Sequence, residues 1–174
     1  MPQIKEITVY SYSELSPEAQ KKAISNLSDI NVDSDWWDAT YSDANEIGLK
    51  ITGFDIDRGS YVKGEFTLSA CEVAQNIFNN HGAECETFKT AKSFMDQWQP
   101  VFDNYMNESH PDYESGESED TMQDLESEFL KSLCEDYRII LTHEYDYLTS
   151  DKAIIETIEA NEYTFTESGK MENL

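Results

Sequence analysis

The side chains able to act as nucleophiles, bases or metal ligands are scattered along this chain. His81, His110 and His143 stand far apart, while Cys71, Cys85 and Cys134 are odd in number, lack a CxxC pair and have no histidine beside them. The motifs HExxH, GxSxG and GxGxxG and the phosphate-binding P-loop are all absent. His143 and Glu144 are neighbours, but adjacent residues on a helix point to different faces, so they read as a surface pair. Calcium is the metal an acidic chain would take, through oxygen ligands at fixed spacing. Asp29-x-Asn31-x-Asp33 opens like an EF-hand loop, yet Ser34 stands at the glycine position and Thr40 at the bidentate acid position. Asp55-x-Asp57 fails likewise, with Ser60 and Phe66 at those places. The chain is therefore expected to be a non-enzyme with no catalytic residues, no cofactor and no metal.

What the sequence does concentrate is carboxylate. From Ser93 through Leu130 there is no Lys or Arg, while Asp96, Asp103, Glu108, Asp112, Glu114, Glu117, Glu119, Asp120, Asp124, Glu126 and Glu128 supply eleven negative charges. Glu117, Asp120, Asp124 and Glu128 recur every three or four residues, which on a helix sets neighbours roughly 6 Å apart along one edge. Successive phosphates on one DNA strand lie a comparable distance apart, roughly 6 to 7 Å. This edge, with Asp112, Glu114 and Glu119, is the first candidate partner-binding surface, able to imitate the charge of a nucleic acid. The plainer alternative is a solvated helix face behind an acidic loop. A second candidate is Asp33, Asp35 and Trp36, where acids flank an aromatic ring as in many protein-binding patches. Its alternative is that Trp36 and Trp37 pack in the core while the acids cap and solvate a helix.

The whole chain shares the bias, with 36 acidic against 12 basic side chains and a formal net charge of -24. That exceeds what solubility asks of a small domain and costs stability through self-repulsion. It argues against direct binding to nucleic acid or an anionic membrane, because such affinity comes largely from Lys and Arg neutralising phosphate. A basic protein is the expected partner. The 39% hydrophobic and 12% aromatic content is too rich for a disordered acidic tail, and 174 residues suit one domain, 1–174. No basic-then-apolar leader, no run of 18 apolar residues and no paired cysteines point to a cytoplasmic protein.

The elements that must position these residues are legible from spacing. Residues 4–12 alternate imperfectly and read as a strand. Ser16 and Pro17 open a helix to about Leu27. Asp33 or Ser34 caps a second helix carrying Trp36, Trp37, Thr40, Tyr41, Ala44 and Ile47 and ending at Gly48. Leu49 to Ile56 and Tyr61 to Leu68 form a hairpin around Arg58-Gly59-Ser60. Ser69 opens a helix closed by His81-Gly82, and a further helix over about 90–106 is expected to break near Gln99, because Pro100 lacks a backbone donor. Residues 109–120 read as a loop. The longest helix follows near 120–148, its stripe from Met122 to Leu148 spanning about 40 Å at 1.5 Å per residue. Ser150 caps a last helix to Ala160, and Tyr163 to Thr166 is a strand joining the first strand and the hairpin. The expected class is α+β: several helices packed on a small, mainly antiparallel sheet of about four strands.

The phrases ELSPEAQKKAI, DWWDATYSDANEIGLKI and SDKAIIETIEANEYTFTESGK resemble those of a group of small acidic proteins encoded by phages, prophages and mobile elements of bacteria, gut bacteria especially. The similarity spans nearly the whole chain. It supplies no catalytic residues; it implies an accessory protein in a bacterial cytoplasm, where antagonists of host defence are common. Together with the charge, the expected function is a non-enzymatic inhibitor or modulator of a basic, nucleic-acid-binding bacterial protein, such as a defence nuclease, of the anti-CRISPR or antirestriction type. The alternative is an interaction or antitoxin-like module that binds mainly through apolar and aromatic contacts.

Overall fold

The structure, a computed structural model, describes residues 7–107 and 117–172. Along them run β1 (Tyr10–Ser11), a 3-10 turn (Tyr12–Glu14), α1 (Pro17–Asn26), α2 (Asp38–Ile47), β2 (Leu49–Asp55), β3 (Tyr61–Phe66), α3 (Ala70–Asn80), α4 (Glu86–Tyr105), α5 (Glu117–Leu148), α6 (Asp151–Ala160), β4 (Thr164–Phe165) and β5 (Met171–Glu172). The class is α+β, with a three-stranded antiparallel sheet ordered β1-β4-β5 and a separate hairpin, β2-β3. The described residues gather into two compact units. One takes the residues up to Trp36 and from His143 onward, and the other is Trp37–Thr142; α5 is continuous and contributes to both.

The first unit is held by Leu15, Ala19, Ala23, Ile154, Ile158 and Phe165, all buried. Ser16 and Ser150 accept from the amides of Ala19 and Ala153, each at 3.3 Å, fixing where α1 and α6 begin. Alanines on α1 let the chain approach closely. Gly169, at φ +81°, lies so near the Ala19 carbonyl that a Cβ there would sit 2.2 Å from its oxygen.

In the second unit α2 ends at Gly48 in the left-handed conformation (φ +92°), and the hairpin follows at once with an irregularity between Ile51 and Gly53. Ser69 and Glu72 form a reciprocal capping box at the start of α3. Ile47, Leu49, Val73, Ile77, Phe94, Phe129, Leu133 and Tyr137 build the core, with the rings of Phe94 and Phe129 stacked at 4.4 Å between α4 and α5.

Several expectations are corrected. Within residues 7–12 the opening strand is only Tyr10–Ser11, because its partner β4 offers two residues; residues 4–6 lie outside the described part. Trp36 and Trp37 precede α2 instead of riding on it. The chain there is a series of turns, Trp37 is the N-cap but makes no side-chain capping hydrogen bond, and its ring packs on Phe54 at 5.5 Å. The helix carrying Pro100 starts earlier, at Glu86, and does not break. Pro100 is exposed, so water can satisfy the carbonyl it frees, while Trp98 and Phe102 stack at 4.7 Å and carry the helix past it. Residues 117–120 belong to α5, since acids suit its first turn, while 109–116 of the expected loop lie outside the described residues. The last strand pairs with β1 and β5 and leaves the hairpin in a sheet of its own.

Candidate functional site

The first turn of α5 carries Glu117, Glu119 and Asp120, acids placed where the helix dipole is positive. Its apolar side, from Phe129 through Leu133 and Tyr137 to Leu141, is buried and fixes the rotation of the helix. At 3.6 residues per turn, Glu117, Asp120, Asp124 and Glu128 then fall within an arc of about 80° and over about 16 Å of axis. All four are exposed. Glu119 is about 200° from Glu117 around the axis and leaves this edge. Asp112 and Glu114 lie outside the described residues.

Compensation along the edge is uneven. Lys131 reaches Glu128 Oε2 at 3.3 Å, two turns further Arg138 is paired with Glu135, and on α4 Lys92 is paired with Asp96. Among the described residues neither Asp120 nor Asp124 has an ion pair, so these two are the carboxylates of the edge that stand uncompensated there. Beside its other end, an open groove of about 470 Å³ between β3 and α5 is lined by Tyr61, Lys63, Leu130, Lys131, Cys134 and Glu135. Lys63 lies 4.9 Å from the Tyr61 ring centroid and has no carboxylate partner among the described residues.

The second candidate lies in the other unit. Asp33 and Asp35 are exposed, but Trp36 is half-buried, with its ring 5.5 Å from that of Tyr145. The turn presenting the two acids is tied down by Asn31, which donates to the Leu148 carbonyl at 2.9 Å and accepts from the Thr157 hydroxyl at 2.6 Å. Asn31 is a positioning residue that sequence reasoning missed, since its partners are 117 and 126 positions away.

The constellation closest to an acid–base site is also one the sequence concealed. Tyr137 donates to Asp43 Oδ2 at 2.7 Å, Asp43 Oδ1 stands 3.4 Å from His81 Nε2, and His81 Nδ1 is 2.7 Å from the Thr87 hydroxyl. Thr87 is 3% exposed and Tyr137 fully buried, so both hydroxyls are shielded from solvent. The network joins α2, the end of α3, α4 and α5. Burial pushes the Cys71 and Cys134 thiols up, away from nucleophilic thiolate. Among the described residues no group of three or more His, Cys, Asp and Glu side chains is placed to hold a metal, and no helix is long and apolar enough to cross a membrane.

No family model, curated protein or solved structure matches the chain.

Proposed function

We propose that this chain is a non-enzymatic binding protein of a phage or mobile element that docks its acidic α5 edge onto a basic, nucleic-acid-binding bacterial protein, such as a defence nuclease. The observation that carries this reading is the exposed edge of α5, on which Asp120 and Asp124 have no counter-ion among the described residues, in a chain of net charge -24. Helix spacing sets such carboxylates at the interval of phosphates on one strand, so they compete for the Lys and Arg side chains that hold DNA or RNA. The resemblance to acidic proteins of mobile elements supports the bacterial setting. The test is a pull-down from a bacterial host with the wild-type chain and with Asp120→Lys/Asp124→Lys/Glu128→Lys as baits. Recovery of a basic nucleic-acid-binding subunit by the wild type alone is expected. Equal recovery by both, or recovery of metabolic enzymes only, rejects this face.

A second reading, an interaction or antitoxin-like module binding through apolar contacts, is favoured by Ile139 and Ile140, adjacent on α5 and each 37% exposed. Salt separates the two. Electrostatic docking weakens steeply between about 50 and 500 mM salt, as screening shortens to a Debye length below about 10 Å, whereas an apolar interface persists.

A further inference from the structure

In the first unit, an open groove of about 480 Å³ lies between the 3-10 turn and the C-terminal end of α6. That is within the size range of sites that hold small ligands and single side chains. Tyr12 and Tyr163 give it aromatic walls, Ile158 is its apolar neighbour, and among the described residues Glu159 and Glu162 are its only charged lining. Neither carboxylate has an ion pair among the described residues.

Both glutamates sit where the chain alone disfavours them. Glu159 is in the last turn of α6, at the negative end of the helix dipole, and that turn has no basic residue. Glu162 follows at φ +52°, the left-handed region that non-glycine residues seldom adopt. Burial, and after it the charges of Asp151 and Glu159, push the Tyr12 phenol up, keeping that hydroxyl neutral. A cation in this groove meets two carboxylates, the negative end of a helix dipole and two tyrosine side chains. A flat guanidinium suits that combination better than an ammonium, because it bonds carboxylates through a fork of donors while stacking on a ring.

We propose that this groove receives an arginine side chain of a partner protein. It is a surface distinct from the α5 edge and goes beyond the function proposed above. The test is titration of the isotope-labelled full chain with N-acetyl-arginine methylamide, followed by amide chemical shifts. Shifts confined to Tyr12, Glu159 and residues 162–164 are expected, with the uncharged isostere N-acetyl-citrulline methylamide binding at least about tenfold more weakly, a difference of about 1.4 kcal/mol. Glu162→Gly removes a carboxylate and relieves the left-handed backbone, so it should raise Tm while weakening arginine binding. Glu159→Gln should weaken binding with the fold intact, as its own dispersed spectrum reports. Asp120→Lys/Asp124→Lys/Glu128→Lys should leave the arginine shifts unchanged, so failure of the α5 reading does not touch this one. Equal binding of citrulline, shifts mapping elsewhere, or undiminished binding by both glutamate variants would overturn the assignment.

Discussion

The hydroxyl of Tyr137 donates to Asp43 Oδ2 at 2.7 Å across 94 positions of sequence. Tyr137 is fully buried and Asp43 about half exposed, so the two ends of this bond differ in their access to water. Removing the donor leaves a carboxylate that water can reach. Removing the acceptor strands a buried phenol and takes the Asp43 carboxylate from His81 Nε2, which has no hydrogen-bond partner among the described residues. Tyr137→Phe is therefore expected to cost about 1.5 to 3 kcal/mol and Asp43→Ala more, with the double variant well short of the sum. Urea unfolding of the four proteins checks this; a smaller loss for Asp43→Ala than for Tyr137→Phe would show that the hydroxyl finds another acceptor.

Gly169→Ala should be among the most damaging single-methyl additions to the chain. It meets the Ala19 carbonyl and also needs φ +81°. A loss of at least about 2 kcal/mol is expected. Gly53→Ala, where a Cβ has nothing within 4 Å, should stay within about 0.5 kcal/mol of the wild type. Similar melting points for the two variants would contradict the close approach.

Stability should rise from pH 8 to about pH 5 and fall below that, because crowded and hydrogen-bonded carboxylates have opposite signs. Burial, opposed by a Thr90 hydrogen bond and reinforced by Glu86 and Glu135, raises Asp136 above its ordinary 3.8. The folded state then keeps a proton that the unfolded chain releases, and stability is lost as pH rises through that window. Glu72 and Glu14 are held below 4.5 by hydrogen bonds from Ser69 and Ser11, and Glu135 by Arg138. Their contribution is present above 4.5 and lost as pH falls through their folded values. Asp136→Asn should accordingly raise Tm at pH 8 by an amount that shrinks toward pH 4, and added salt should raise the wild-type Tm at pH 8 by screening repulsion. A wild-type Tm that fell steadily from pH 8 to 5, with no gain from salt, would show carboxylates individually compensated in the fold.

Charge reversal on the α5 edge should alter binding without unfolding the chain. Asp120 lies in the first turn, so its reversal costs about 0.3 to 1 kcal/mol of dipole interaction. Asp124 is exposed and relieves repulsion when reversed, while reversing Glu128 gives up only its exposed pair with Lys131, a small cost. The triple lysine variant should keep its helical circular dichroism and melt within a few degrees of the wild type. Collapse of the helical signal would mean that the edge is structural.

Local signals in the sequence were enough to place α1, α3 and α6, since Ser16, Ser69 and Ser150 are caps whose partners lie three residues away. Gly48 and the hairpin were legible for the same reason. The misplaced start of α2 came from Trp36 and Trp37, whose helical spacing is real but whose positions are set by Tyr145 and Phe54, far along the chain. Pro100 misled because its cost depends on which side of α4 it faces. At the site, the spacing of Glu117, Asp120, Asp124 and Glu128 was visible, but the pairing of Glu128 with Lys131 was not, and Glu119 turned away once the helix began at Glu117. The groove around Glu159 and Glu162 combines residues from opposite ends of the chain and a left-handed backbone position, neither of which composition or periodicity reports.

The strand pairing of Tyr10 with Phe165 sets a timetable for synthesis on the ribosome. Residues 37–142 form one contiguous run and can fold as soon as they emerge, whereas the first unit has to wait for its C-terminal half. Loop-closure entropy grows only logarithmically with length, so the delay costs little stability at equilibrium. It does leave Tyr10 and Ser11 without a strand partner for most of translation. A strand only two residues long offers neighbouring nascent chains little to pair with during that wait.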